Sequence, residues 1–186
     1  GLVARFADPE AVKRWQGWIR ETIQESRASG AVALIVIKEL NELRLYRGGK
    51  LVKTYPADMG SNQLHQKLRQ GDKATPEGRY RVSKKNPNSQ YKLALLLNYP
   101  TEADQARLRA AIARGDVAKG TKLGGLIEIH GDGGRGTDWT LGCVALSNPH
   151  MREVYDIASV GTPVTIVGGS GESGRFSRVA QRREKR

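Results

Sequence analysis

The chain has 186 residues, a length typical of one domain or of one domain with short extensions. Its 38% of apolar residues supports a hydrophobic core, but no run approaches the ~18–20 apolar residues that cross a bilayer. The formal charge of +12 attracts anionic partners, and the single cysteine excludes an intramolecular disulfide.

The first predicted element is an amphipathic helix within residues 1–30. Asp8, Pro9 and Glu10 are typical of a helix start. Apolar residues follow at helical spacing until Gly30, namely Val12, Trp15, Trp18, Ile19 and Ile23. An amphipathic helix buries its apolar face against another surface. This surface belongs either to the same domain or to another region, and the sequence leaves both alternatives open.

The next segment predicts several strands. Residues 31–37 are continuously apolar and β-branched, and the Gly48-Gly49 pair separates two further strands as a hairpin turn. Short strands are predicted at 79–82 and 91–97, with a polar loop at 84–89 between them. Residues 60–73 and 84–90 are interpreted as loops that could cover a site.

The second half alternates helices and strands. Thr101 opens a helix with Asp104 at capping-box spacing, and another helix runs from 148 to 158. Strands are predicted at 126–130 and 164–167, with an apolar segment at 141–146. The whole order predicts an α+β fold dominated by β-strands, with three peripheral helices.

The C-terminal segment, residues 169–186, is basic. From residue 174 onward it has six basic residues and one acidic residue. Such a segment is either a solvated, disordered terminus or an electrostatic tether to an anionic surface. A nucleic-acid-binding domain is a distant alternative, because charge alone supports it and no stacking or recognition motif accompanies the charge.

The segment from 127 to 146 carries the chemistry. His130 lies where a predicted strand ends and a glycine-rich loop begins, and Cys143 directly follows Gly142. A thiol with an ordinary pKa of about 8.5 needs a nearby base or cation to act as a nucleophile. Alone, such a histidine is often structural and a lone cysteine is often a small buried residue. Together, framed by Gly131 and Gly142, they predict a nucleophile and its general base.

Other groups in this segment are candidates for substrate contacts. The backbone N–H of Gly142, with that of Cys143, is a candidate oxyanion donor. Glu128 lies two residues before His130 on the same strand face, where it could influence the base or bind a substrate amine.

The glycine-rich loop and the remaining histidines complete the candidates. Arg135 and Asp138 could contact substrate carboxylate and amine groups, or they are ordinary surface residues of the loop. A zinc site needs three or four ligands, and His65 and His150 have no spacing that groups them with Cys143. The sequence therefore predicts no metal site and no cofactor.

Several motifs of this chain resemble the L,D-transpeptidase catalytic domain, also called the YkuD domain. The His-Gly pair at 130–131 and the Thr-x-Gly-Cys element at 140–143 are similar to its catalytic motifs. Residues 31–55 resemble its opening hairpin, 71–80 its Thr-Pro-x-Gly-x-Tyr loop, and 161–164 its closing strand. The resemblance covers roughly residues 31–168, which we take as the catalytic domain, between the N-terminal helix and the basic C-terminal segment.

The resemblance implies a β-rich mixed sheet or sandwich and an enzyme acting on peptidoglycan stem peptides. It implies that Cys143 is the nucleophile, that His130 is the base, and that the Gly131 carbonyl orients the ring. Thr140 matches the Ser/Thr before the nucleophile. Attack on the third stem residue would release the terminal D-alanine and leave a thioester, which an amine or water resolves.

The resemblance also implies a periplasmic or cell-envelope location. No export signal is recognised in the opening residues, so a targeting segment is expected to lie outside this sequence. No transmembrane segment and no nucleic-acid partner are predicted.

Two positions depart from the pattern of many members of that family. Leu141 stands where many carry His, and Ala145 stands where many carry Arg or Asn. Residues 62–67 and 91–100 resemble a proteobacterial subgroup that includes hydrolases, and Tyr91 of this segment is a candidate substrate contact. The reaction catalysed is therefore left open. The alternatives are crosslinking, L,D-carboxypeptidase activity, and action on a wall-attached protein as acceptor or substrate.

Overall fold

The computed structural model describes residues 8–62 and 66–171. The predictions for the first seven residues, for His65 and for most of the basic C-terminal segment lie outside the described residues. Within them the chain forms three helices and eight strands, which confirms the predicted α+β class. These are α1 (Pro9–Ser29), β1 (Val32–Ile37), β2 (Glu42–Arg47), β3 (Lys50–Pro56), β4 (Gly78–Ser89), β5 (Lys92–Leu97), α2 (Glu102–Ala113), β6 (Glu128–His130), β7 (Val144–Ala145), α3 (Asn148–Ile157) and β8 (Pro163–Val167).

The strands form one curled sheet in the order β3-β2-β1-β8-β4-β5-β6-β7. The pairs β1–β8 and β6–β7 are parallel, and the other neighbouring pairs are antiparallel. Strand β4 joins the two halves, because residues 78–81 pair with β8 and its later residues pair with β5. The two shortest strands, β6 and β7, are the last two at one end of the sheet. His130 ends β6 and Cys143 directly precedes β7, so both candidate catalytic residues lie at this edge.

Helix α1 packs on one face of the central strands. Asp8 Oδ1 accepts a hydrogen bond from the Glu10 N–H, and Gly30 ends the helix with a left-handed φ of 72°. Trp15 is fully buried against β1 and β8. Thr22 Oγ1 lies 2.6 Å from Thr165 Oγ1 of β8. Of the two partners left open by the sequence, α1 contacts the sheet of its own chain.

The opposite face of the sheet carries the main core. It includes Leu34, Leu43, Ile129 and Ile166, together with apolar residues of α2 and α3 such as Leu108, Met151 and Val154. Strand β1 is buried on both faces, which explains its unbroken apolar sequence. Among the described residues no helix is long and apolar enough to cross a membrane.

Two sequence-based boundaries are wrong. The predicted loop 84–89 belongs to β4, where Lys84, Lys85 and Asn86 pair with β5. Backbone pairing does not require apolar side chains where a strand faces solvent, so polar composition was misleading here. The predicted strand 126–130 shrinks to Glu128–His130, because Leu126 has a φ of 57° that interrupts an extended strand. The apolar segment 141–146 contains the short strand Val144–Ala145.

Candidate active site

His130 is the last residue of β6, and its ring is held by the next peptide group. The Gly131 N–H donates to the carbonyl oxygens of Tyr91 and Leu93, at 3.1 and 3.2 Å, which anchors the strand end. His130 Nδ1 lies 2.7 Å from the Gly131 carbonyl oxygen. A carbonyl oxygen only accepts hydrogen bonds, so Nδ1 carries the hydrogen and the lone pair of a neutral ring is on Nε2.

Two aromatic rings enclose the imidazole of His130. Tyr91 stacks on it with a centroid distance of 4.1 Å and an interplanar angle of 16°. Trp139 meets it edge-on at 6.0 Å and also meets the Tyr91 ring at 6.1 Å. His130 is only 2% exposed, and burial lowers the pKa of its imidazole below the ordinary 6.5. The ring is therefore neutral at pH 7, as a general base requires.

Cys143 lies just before β7 with a partly buried side chain. Its Sγ–H donates to the Leu126 carbonyl oxygen at 3.5 Å. Burial raises the pKa of the thiol to about 11, so the thiol is protonated at neutral pH. Together with a neutral imidazole, this gives a neutral pair instead of a thiolate–imidazolium pair.

The sheet register brings the two side chains to the same region. His130 pairs with Ala145 in the parallel β6–β7 ladder, and Cys143 lies two residues before Ala145 and therefore on the same side. Within residues 8–62 and 66–171 no hydrogen bond joins His130 to Cys143, whose thiol points at Leu126 instead. Bonds between base and nucleophile are often loose without substrate and tighten in the Michaelis complex.

Thr140 and Gly142 shape the turn that precedes the thiol. Thr140 Oγ1 donates to the Cys143 carbonyl oxygen at 2.6 Å and accepts from the Gly142 N–H at 3.2 Å. The Gly142 amide, predicted as an oxyanion donor, is therefore occupied by Thr140 in this structure. A Cβ on Gly142 would lie 2.8 Å from the Ala74 carbonyl oxygen, and its φ is 141°, so only glycine fits this turn.

The other predicted site residues differ in their exposure and in the groups that they contact. Glu128 is half-buried, and burial raises the pKa of its carboxyl group. Arg135 is exposed, and its guanidinium carbon lies 3.5 Å from the centroid of the Trp139 ring. Asp138 Oδ1 accepts from the Asn41 side chain at 2.7 Å and the Met59 N–H at 2.9 Å, so this carboxylate anchors the loop to the segment after β3.

The sequence does not single out Trp139, which meets the base, or Asp58, which binds Trp139. Asp58 is 4% exposed, and its Oδ2 accepts from the Arg135 N–H at 2.9 Å and from Trp139 Nε1 at 3.0 Å. Trp139 could have been noticed because it lies between two candidates, Asp138 and Thr140. Asp58 carried no local signal, since it lies far from Cys143 in sequence and only the fold brings it to the loop.

The fold and the site define the class of protein. A curled sheet carries a buried histidine at the end of β6 and a cysteine just before β7, and a glycine-rich loop connects them. Such an arrangement can bring a base and a nucleophile together at the edge of a sheet, as a cysteine enzyme needs.

The family follows from the sequence match. Residues 30–166 match the L,D-transpeptidase catalytic domain, YkuD, so this chain belongs to that family. The match confirms the resemblance seen in the motifs, and it makes this chain a member of an enzyme family whose members act on peptidoglycan. No functionally curated protein matches the sequence.

Solved structures share the fold. The helical cell shape determining protein Pgp2 from Campylobacter jejuni aligns with a TM-score of 0.58 at 24% identity, covering 81% of this chain and 52% of that one. Bd1075 from Bdellovibrio bacteriovorus aligns at 0.56 and 23% identity, covering 85% and 56%. An L,D-transpeptidase from Xylanimonas cellulosilytica aligns at 0.50 and 17%, covering 74% and 60%. This chain thus spans less than two thirds of these proteins.

Proposed function

We propose that this protein is a cysteine acyltransferase that acts on the tetrapeptide stems of peptidoglycan, with Cys143 as nucleophile and His130 as base. One observation carries the proposal. The bond between His130 Nδ1 and the Gly131 carbonyl leaves Nε2 as the proton acceptor, on the same side of the sheet edge as Cys143. Family membership supplies the substrate class.

The first half-reaction begins from the neutral pair. As Sγ attacks the carbonyl carbon of the third stem residue, Nε2 of His130 takes the thiol proton. The imidazolium then gives this proton to the nitrogen of the terminal D-alanine as the carbon–nitrogen bond breaks. The product is a thioester on Cys143 and free D-alanine, and His130 is neutral again.

The charge on the carbonyl oxygen needs donors in the transition state. We assign this role first to the Cys143 N–H, because the Gly142 N–H already donates to Thr140. The two bonds of Thr140 Oγ1 fix the turn from 140 to 143 and so orient that amide. The Gly142 N–H can contribute only after its bond to Thr140 has lengthened.

Substrate binding is assigned to side chains around the pair. The exposed Arg135 suits a stem carboxylate, and the half-buried Glu128 suits the amine of a diamino acid. The Tyr91 ring covers one face of His130 and provides an apolar wall. The proposal places the enzyme in the periplasm or cell envelope. The shape-determining neighbour Pgp2 makes cell shape a process to test.

The second half-reaction has two candidates, transfer to an amine or hydrolysis. Leu141, beside the nucleophile turn, is 74% exposed, whereas Ala145 is fully buried and its backbone pairs with Asp58. Neither residue offers a polar side chain to an incoming acceptor. This observation favours hydrolysis as the second candidate. The substrate is then a stem peptide, as for an L,D-carboxypeptidase, or a wall-attached protein. In a transfer reaction, a wall-attached protein would instead be the acceptor.

Product analysis tests the proposal. Purified disaccharide-tetrapeptides are incubated with the wild-type protein, Cys143→Ala and His130→Ala, and the products are separated and identified by mass spectrometry. We expect the wild-type protein to release free D-alanine. Transfer would also give crosslinked dimers, whereas hydrolysis would give only tripeptides. Cys143→Ala should give no product. Unchanged tetrapeptides with the wild-type protein, or equal turnover by Cys143→Ala, would overturn the proposal.

A further inference from the structure

We infer that Asp58 is a positioning residue that holds the Trp139 ring against the catalytic base His130. The inference rests on the proposed function, since it concerns the surroundings of the proposed base. Asp58 follows β3, whereas Trp139 lies in the glycine-rich loop between base and nucleophile. The side-chain hydrogen bond between them links the segment after β3 to the glycine-rich loop.

The Asp58 carboxylate is buried and directed at this loop. A single oxygen, Oδ2, accepts from both Trp139 Nε1 and the Arg135 backbone N–H. A buried carboxylate is costly unless hydrogen bonds satisfy it, and a buried indole N–H likewise needs an acceptor. Each group therefore satisfies the other, and the Trp139 ring is fixed in position and tilt.

The fixed ring is one wall of the space around His130. Trp139 meets the imidazole edge-on at 6.0 Å, while Tyr91 stacks on it. The Trp139 ring also carries the guanidinium of Arg135, a residue whose backbone N–H is held by the same Asp58 oxygen. One carboxylate thus orders both the wall of the base and an exposed cation that contacts this wall.

A purely structural role for Asp58 is a distinct alternative. Its backbone N–H donates to the Ala145 carbonyl at 2.9 Å, and its carbonyl accepts from the Ala145 N–H at 2.8 Å. These bonds tie the segment after β3 to β7 and do not involve the carboxylate. A side-chain substitution that keeps the backbone in place therefore separates the two roles.

Loss of the carboxylate should act on the base itself. When Trp139 is released, water reaches the His130 ring, and its pKa moves up toward 6.5 because burial is what lowers it. The other charged groups that influence the ring, Asp132 and Arg135, remain in the variants. A less well placed base should lower kcat by about tenfold or more. KM should stay nearly unchanged in Trp139→Phe, which leaves the bond between Asp58 and the Arg135 N–H in place.

Three single variants and one double variant test the inference in the full chain. Asp58→Ala removes both bonds, Trp139→Phe removes the indole N–H and part of the ring, and Asp58→Asn keeps an oxygen that can accept both. His130 is titrated by NMR of labelled histidine, with its signal assigned by His130→Gln, and kcat and KM are measured on tetrapeptide stems.

We expect Asp58→Ala and Trp139→Phe to raise the His130 pKa and lower kcat, and Asp58→Asn to stay within about twofold of wild type. The double variant Asp58→Ala/Trp139→Phe should be no worse than the more impaired single variant, because both break the same bond. An unmoved His130 titration in folded Trp139→Phe, or multiplicative losses in the double variant, would overturn the inference. Because the titration needs no turnover, it still tests Asp58 if the wild type fails to cleave stems.

Discussion

The central strands and the site edge of the same sheet are built by different interactions. Strand β1 is apolar along its whole length and has helix α1 on one face and the main core on the other. Strands β6 and β7 together contain five residues, and their surroundings are held by Asp58, Asp138 and Thr140. Burial fixes the first region, whereas in the second region side-chain hydrogen bonds are added to the burial of Ile129 and Val144.

This difference indicates how the fold carries an active site. Apolar packing tolerates small shifts, whereas a base and a nucleophile must be placed within a fraction of an ångström. Charged and hydroxyl side chains that bond backbone groups provide that placement where strands are too short to do so. Substitutions in the two regions should therefore damage different properties, namely stability in the centre and turnover at the edge.

The largest effect is expected in the central region. Trp15→Ala empties a fully buried site between α1 and the sheet, and it should lower the free energy of unfolding by about 3–5 kcal/mol. Urea denaturation followed by circular dichroism measures this. Trp18→Ala, on the same helix but half-buried, is the matched control with a smaller loss. Equal losses for the two variants would show that α1 is not fixed by its buried face.

A glycine at the site edge should give the next largest effect. A Cβ on Gly133 would lie 2.5 Å from the Ala145 carbonyl carbon, so Gly133→Ala must push the loop away from the nucleophile strand. We expect kcat on tetrapeptide stems to fall about 100-fold. Gly125→Ala, where a Cβ meets nothing within 4 Å, is the control and should keep wild-type turnover. Full activity of Gly133→Ala would mean that this contact does not position Cys143.

The smallest of the three effects concerns the hydroxyl of Thr140. Thr140→Val keeps the shape of the side chain but loses its bonds to the Cys143 carbonyl and the Gly142 N–H. We expect about a 30-fold loss of kcat, since each of the two bonds contributes about 1 kcal/mol. Thr140→Ser retains the hydroxyl and should remain near wild type. If Val and Ser variants are equally active, the turn does not depend on these two bonds.

The same contrast explains what the sequence could reveal. The apolar run of β1, the helix start at Asp8 and its end at Gly30 are local signals, and the structure confirms them. The capping box of α2 is also confirmed, with Thr101 and Asp104 exchanging bonds. Local patterns are reliable where one element's own residues determine its structure.

Predictions at the site edge were less complete because the deciding contacts are distant in sequence. His130 and Cys143 were recognised from their glycine frame, and they remain proposals for catalysis. The partners Asp58 and Trp139 come from separate elements, and no spacing rule relates them. The polar residues 84–89 were misjudged for a similar reason, since their pairing partner β5 determines their strand structure.

The rate of Cys143 acylation as a function of pH tests the central claim most directly. Intact-protein mass spectrometry follows thioester formation in single turnovers with a tetrapeptide stem. Because burial lowers the His130 pKa and raises that of Cys143 to about 11, the rate should be constant across neutral pH. It should fall only as the pH drops through the His130 pKa, below 6.5, where the base becomes protonated. His130→Ala should instead be slow and gain about tenfold per pH unit with thiolate formation. A wild-type rate that rises in the same way between pH 7 and 9, or no thioester on Cys143 at any pH, would contradict the account.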